Sequence, residues 1–89
     1  MIQWYAANTH VNAETKAAEH LLRQGFSVYL PKYMKLRIHA RRKEWVPRPL
    51  FPRYLFVGIS PENVRWRAIQ STIGISHLVS FGNSPAAVP

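Results

Sequence analysis

The sequence predicts an α+β domain in which helices pack against one mixed sheet. Two segments show helical apolar spacing or capping residues, and several others have the alternation or the β-branched and aromatic content of strands. The connections within residues 33–58 are too short for helical crossovers, so these strands should pair as antiparallel hairpins. With 89 residues, 47% of them hydrophobic, the chain can build one small domain with a single core.

The first part of the chain should form a strand, a helix and a second strand. Gln3 to Ala7 has the composition of a strand, and residues 13–24 should form a helix with Asn12 as its N-cap. An apolar stripe should bury this helix against the sheet, and Gly25 suits the position just beyond its end. Residues 26–30 then have strand composition.

A hairpin should follow. Residues 33–38 alternate apolar and basic side chains, which predicts a half-buried strand whose apolar side faces the core. Residues 39–43 should form a basic, solvated tip. The return strand begins near Trp45 and contains Pro47 and Pro49, which indicate that its end is a sheet edge or is irregular.

The last third should contribute the strongest strand, a short helix and a final strand. The strongest strand covers Arg53 to Gly58. Ser60 and Pro61 predict the start of a helix that ends near Gln70. Residues 76–81 should form the last strand.

The charge balance predicts a polyanionic partner. The chain has 12 Lys and Arg against 4 Asp and Glu, a formal net charge of +8. Eight of the basic residues lie from Lys32 to Arg53, where Glu44 is the one acid. The electrostatic field of such an excess of positive charge attracts nucleic acid and speeds its approach. The alternative is that the charge only keeps the surface soluble. No leader pattern and no membrane-length apolar run occurs, so we expect a cytoplasmic protein without a membrane partner.

The sequence favours a binding module over an enzyme. Its four acids are not paired, its four histidines are scattered, and it has no cysteine. No HExxH, GxSxG, P-loop or GxGxxG pattern occurs, so we expect no cofactor and no metal site. His20 follows Lys16 by four residues on a polar helical face, which favours a surface contact over a metal ligand.

The segment Leu50 to Val57 is apolar on both faces. In a strand, Tyr54 and Phe56 point to one side, and the intervening residues point to the other. One face must serve the core. The second is either buried within the domain or, together with Phe51, forms an exposed aromatic patch for a protein partner.

These residues resemble a known family. Pro49-Leu-Phe-Pro-Arg-Tyr-Leu-Phe-Val57 is similar to the FPxYxFV signature of the NusG N-terminal domain. Trp4-Tyr5, Trp66, Ser71 to Ile75 and Val88-Pro89 resemble further family features. Within the family the closer likeness is to RfaH-type members. The residues that carry it are Glu19-His20-Leu21, Pro31, Pro49 to Pro52, Gly74, Ser76-His77, Phe81-Gly82 and Ser84-Pro85.

The resemblance implies a transcription elongation and antitermination factor. Its N-terminal (NGN) fold is a ferredoxin-like α/β sandwich with a mostly antiparallel sheet flanked by helices. Such domains bind the clamp helices of the largest RNA polymerase subunit, which assigns that contact to Phe51, Tyr54 and Phe56. The family's second helix lies toward the gate loop of the second-largest subunit. The residues matching it are Arg65, Trp66 and Arg67. Bridging the cleft would suppress pausing without any chemistry.

RfaH-like members also contact the non-template DNA strand in the elongation complex. The residues at matching positions are Lys16, His20, Arg23, Gln24 and Thr72. His10 and Ile73 stand where RfaH has basic residues, so its DNA recognition element is not carried over to this chain.

The resemblance also implies a domain boundary. Residues 1–82 should form the NusG N-terminal-like domain, and residues 83–89 should begin the linker to a C-terminal KOW domain that lies outside this chain. That second domain would contact Rho or ribosomal protein S10, or mask the clamp-binding face. The alternative function is a stand-alone basic RNA- or DNA-binding α+β domain, because Tyr and Phe on a basic sheet can stack bases.

Overall fold

The computed structural model describes residues 2–60, 65–81 and 84–89. Helices and strands follow one another as β1 Gln3–Thr9, α1 Glu14–Arg23, β2 Ser27–Tyr29, β3 Lys32–His39, β4 Arg42–Pro49, β5 Tyr54–Ile59, α2 Trp66–Gln70, β6 Ile75–Leu78, β7 Ser80–Phe81 and β8 Ser84–Pro85. The predicted α+β class, with an antiparallel sheet and two helices, is confirmed.

The central sheet has four strands in the order β2-β5-β1-β6. Each neighbouring pair is antiparallel, so the expectation of a mixed sheet was wrong. The strongest predicted strand, β5, lies inside the sheet between β1 and β2. A strand with two hydrogen-bonded neighbours favours apolar side chains, and five of the six residues of β5 carry aromatic or aliphatic ones.

One face of this sheet forms the core. Leu55, Val57 and Ile59 alternate along β5 and are almost fully buried. They belong to the same apolar cluster as Leu21 of α1 and Ile69 of α2, so both helices cover this face. Since side chains alternate along a strand, the intervening residues of β5 lie on the opposite face of the sheet.

The ends of α1 were predicted with mixed success. Asn12 does not cap the helix: it has a positive φ of 59°, the N-cap is Ala13, and no side chain caps the amides there. Asn tolerates this left-handed conformation and serves the turn instead. Gly25 takes its predicted role at φ 90°. Its amide donates to Leu22 O, and the Phe26 amide donates to Leu21 O, as in a Schellman motif.

Strands β3 and β4 form a separate two-stranded ribbon rather than part of the sheet. All eight residues of β3 are exposed, so the predicted half-buried strand was wrong. Its alternation is real, but none of the described helices and strands covers its apolar side, where Met34, Leu36 and Ile38 are exposed. The turn at Ala40 and Arg41 has two positive φ angles, which suit the twist of a hairpin. Both ribbon strands are edges, and the pairing of β4 is regular through Pro49, so of the two alternatives drawn from its prolines the edge is confirmed.

The C-terminal region differs in detail from the predicted pattern. The expected strand over residues 76–81 is divided into β6 and β7. Helix α2 begins at Trp66, and the predicted start at Pro61 lies outside the described residues. Residues 84–89, expected to begin a linker, are joined to the domain by backbone hydrogen bonds, including Val88 N–H to Trp4 O at 2.7 Å. The boundary between the domain and a linker stays a prediction.

Candidate protein-binding face and nucleic-acid surface

The face of the central sheet opposite the core carries aromatic side chains. Tyr54 and Phe56 lie on it, across from Asn8 and Ala6 of β1. Tyr54 is 39% exposed and Phe56 is half-buried, whereas Leu55 between them is fully buried. Of the two interpretations of this segment, the structure therefore favours the exposed aromatic patch.

We define the aromatic patch as Tyr29, Phe51, Tyr54 and Phe56, and ring contacts join three of these four residues. The ring centroids of Phe51 and Phe56 are 6.1 Å apart in an edge-to-face arrangement. Phe56 also stacks at 6.1 Å on Tyr29. Phe51 and Tyr29 are 47% and 58% exposed, so the patch presents apolar rings to solvent in a fixed geometry.

A cavity adjoins the aromatic patch. It has a volume of about 430 Å³ and its lining is predominantly apolar. The residues around it are Trp4, Val28, Tyr29, Phe56, Val88 and Pro89. Sequence reasoning assigned Phe56 to this face but not Trp4 or Tyr29. They come together because β1 and β2 flank β5, and that strand order cannot be read from one sequence.

A buried carboxylate holds the loop that presents Phe51. Arg53 has a positive φ of 69°, and its amide donates to Glu14 Oε2 at 2.9 Å. The backbone of Arg53 also accepts from the Thr9 amide at 2.8 Å. Glu14 is 7% exposed. Nothing in the sequence pairs this carboxylate with a residue 39 positions away.

The residues predicted to contact DNA are partly assembled on one surface. Gln24 Nε2 donates to Thr72 Oγ1 at 2.8 Å and to the His20 carbonyl oxygen at 3.2 Å. Thr72 is buried and donates to Ala68 O, so its side chain positions Gln24. Lys16 and Arg23 are exposed on α1, the helix that also carries His20. We call Lys16, His20, Arg23, Gln24 and Thr72 the α1 surface.

The three residues assigned to the gate-loop side have different surroundings. The Arg65 guanidinium lies 4.6 Å from the centre of the Phe26 ring and donates to Gln24 O at 2.9 Å. Trp66 is half-buried, with its ring edge-on to Tyr5 at 4.8 Å. Arg67 is exposed. Arg65 therefore links α2 to the α1 surface, whereas Trp66 mainly anchors α2 on the core.

Within the described parts of the chain, no three His, Asp or Glu side chains are grouped in a way that could hold a metal ion. The helices in those parts are all too short or too polar to cross a bilayer. The features that stand out are an apolar aromatic face and a cationic surface. Such features suit recognition of a protein and of a polyanion.

Comparison with known proteins gives consistent matches. The family model described as transcription termination factor NusG matches residues 2–89. The transcription termination/antitermination protein NusG of Thermus thermophilus is 32% identical over 100 residues, which cover 94% of this chain and 54% of that protein. A solved structure on domain interaction in Thermotoga maritima NusG superposes with a TM-score of 0.65 at 25% identity, covering 100% of this chain and 51% of that one. The chain thus spans about half the length of these relatives.

Proposed function

Because the chain belongs to the NusG family, we propose that it is the polymerase-binding domain of a transcription elongation and antitermination factor. NusG-family proteins are transcription factors that interact with RNA polymerase. The proposed partner of the aromatic patch is the pair of clamp helices in the largest polymerase subunit. Phe51, Tyr54 and Phe56 make the principal contacts.

The observation that carries this proposal is the uncovered aromatic face of the central sheet. Exposed rings that contact one another bury a large apolar area on docking, and little side-chain freedom is lost. The neighbouring cavity between Trp4 and Tyr29 offers room for an apolar side chain of the partner. A helical coiled coil presents rows of such side chains, which suits a shallow groove.

The proposed mechanism is a shift in the population of polymerase states. The aromatic patch binds the clamp, and Arg65, Trp66 and Arg67 lie toward the gate loop of the second-largest subunit. A factor that contacts both sides of the cleft binds the closed elongating state more tightly than the paused state. That difference in affinity suppresses pausing without any chemical step.

The proposal extends to an RfaH-like contact with DNA. The α1 surface would meet the exposed non-template strand, with Gln24 held in place by Thr72. Because its hydrogen bond to Thr72 holds the Gln24 side-chain amide in place, that amide can read the edge of a base. Lys16 and Arg23 attract the phosphates. The likeness to RfaH rests on sequence features alone and belongs to this proposal.

A pausing assay tests the proposed function. Purified bacterial RNA polymerase transcribes a template with a strong pause site, in the presence of this chain or of a Phe51→Ala/Tyr54→Ala variant. The wild-type chain should shorten the pause, and the variant should not. A Val11→Ala/Leu22→Ala variant is the matched control, because these two exposed apolar residues lie just before α1 and on α1, the helix that covers the opposite face of the sheet. Pause lifetimes unchanged by the folded wild-type chain would contradict the proposal.

A further inference from the structure

The β3–β4 ribbon concentrates the charge of the protein. Residues 32–49 contain seven of the 12 Lys and Arg residues and one of the 4 acids, so they hold six of the eight net positive charges. The ribbon also extends away from the core: the molecule is 51 Å long, and its radius of gyration is 14.7 Å. A compact chain of this length would have a radius of gyration of about 12 Å.

Cross-strand register divides the ribbon into two unlike faces. One face is mainly apolar and includes Met34, Leu36 and Trp45, with Lys32 and Lys43 toward its two ends. The other face is basic. Its residues are Tyr33, Lys35, Arg37 and His39 of β3, opposite Arg48, Val46, Glu44 and Arg42 of β4.

The cations on the basic face are largely available to a partner. Arg37 lies 3.9 Å from Glu44, but both side chains are about half exposed, which makes this a weak pair. Lys35, Arg42 and Arg48 form no ion pair with any described residue. Each is exposed and carries a long side chain that can follow a phosphate backbone.

We propose that the basic face of the ribbon binds the phosphate backbone of duplex DNA, independently of base sequence. Binding to a single strand normally combines cations with aromatic rings on which bases stack. Here the basic face has Tyr33 as its one aromatic residue, and Trp45 lies on the opposite face. A surface that has several cations but few aromatic rings for bases to stack on is suited to contacts with phosphates rather than with unpaired bases.

The dimensions of the ribbon agree with a duplex partner. Strands of eight residues are about 26 Å long. A two-stranded ribbon fits the major groove of B-form DNA, which is about 12 Å wide, whereas the corresponding groove of duplex RNA is too narrow for protein side chains. The ribbon shares no residue with the aromatic patch or the α1 surface, so this binding is a separate property of the chain.

Fluorescence anisotropy with the purified chain and a labelled DNA duplex about two turns long tests the proposal. A ribbon variant on the basic face, Lys35→Gln/Arg37→Gln/Arg48→Gln, is compared with a control, Lys32→Gln/Arg41→Gln/Lys43→Gln, which removes the same charge from the opposite face and the tip of the ribbon. Salt is varied between about 50 and 200 mM. The ribbon variant should bind more weakly, and its slope of log affinity against log salt should be shallower by about 3, one for each lost phosphate contact. The control should keep a slope close to that of the wild type.

Equal losses in both variants would overturn the proposal, since they would show attraction by net charge alone. Tighter ribbon-dependent binding to a single strand or to duplex RNA of the same sequence would also overturn it. So would ribbon-dependent binding to vesicles containing phosphatidylserine with duplex affinity unchanged. Because no polymerase is present, a failure here leaves the proposed function untouched, and polymerase binding by the aromatic patch does not affect this result.

Discussion

At the scale of single residues, two glycines with nearly the same backbone conformation have different surroundings. Gly25 has φ 90° and Gly74 has φ 93°. A Cβ atom at Gly25 would meet nothing within 4 Å, whereas one at Gly74 would lie 3.0 Å from Ala17 Cβ and 3.1 Å from Ala17 N. The first position therefore needs glycine for its backbone conformation, and the second also needs it for space.

This difference predicts unequal costs of substitution. Gly25→Ala should lower the free energy of unfolding by about 1–2 kcal/mol, the penalty for a left-handed L-residue. Gly74→Ala should cost more, by roughly a further 1–3 kcal/mol, because helix α1 must shift to admit the methyl group. Chemical denaturation of both variants measures the difference. Equal values would show that α1 moves aside freely and would contradict the tight contact.

Glu14 offers a second prediction at this scale. Removing its carboxylate leaves the Arg53 amide without its acceptor in a loop held at a positive φ. Glu14→Ala should therefore lower the unfolding free energy by about 1–3 kcal/mol. Glu14→Gln keeps an acceptor oxygen and should recover part of that loss.

Glu19→Ala is the matched control for Glu14, because Glu19 is exposed on the same helix. It should change stability by less than about 0.5 kcal/mol. If the Glu14 and Glu19 variants were equally stable, the hydrogen bond to Arg53 would contribute nothing. Sequence reasoning could not find this role, since the contact joins residues brought together only by the fold.

At the scale of elements, the β3–β4 ribbon is independent of the core. None of its residues belongs to the buried apolar cluster. The alternation of apolar and basic residues in β3 is the pattern of a half-buried strand, and for that reason the sequence predicted that its apolar side is buried. Periodicity identifies the face that can be buried, but only the arrangement of the other elements decides whether anything covers it.

Replacing residues 32–49 by Asn-Gly, which favours a tight hairpin turn and keeps the hydrogen bond from the Leu50 amide to Pro31 O, should therefore leave the domain folded. We expect the melting temperature to stay within several degrees of the wild-type value, because no core contact is lost. Leu55→Ala provides the contrast. It removes a fully buried side chain and should cost about 2–5 kcal/mol. Unfolding of the shortened chain under native conditions would show that the ribbon supports the core.

At the scale of the whole molecule, the sequence predicted the features that depend on local pattern. The helix over residues 13–24, the role of Gly25, the hairpin tip and the strand at Tyr54 agree with the structure within a few residues. The aromatic face was also anticipated, because alternation left a second apolar side on β5. Trp4 and Tyr29 were not placed beside it, since strand order depends on contacts between distant segments.

The central claim is that the aromatic patch binds RNA polymerase. The most direct test measures the affinity of this chain for purified bacterial polymerase core at low and high salt. The wild type and the Phe51→Ala/Tyr54→Ala variant are compared, with Val11→Ala/Leu22→Ala as control. We predict tight, salt-tolerant binding by the wild type and the control, because apolar contacts are little screened, and at least about a tenfold loss in the variant. Equal binding by all three proteins, or none by the folded wild type, would contradict the claim.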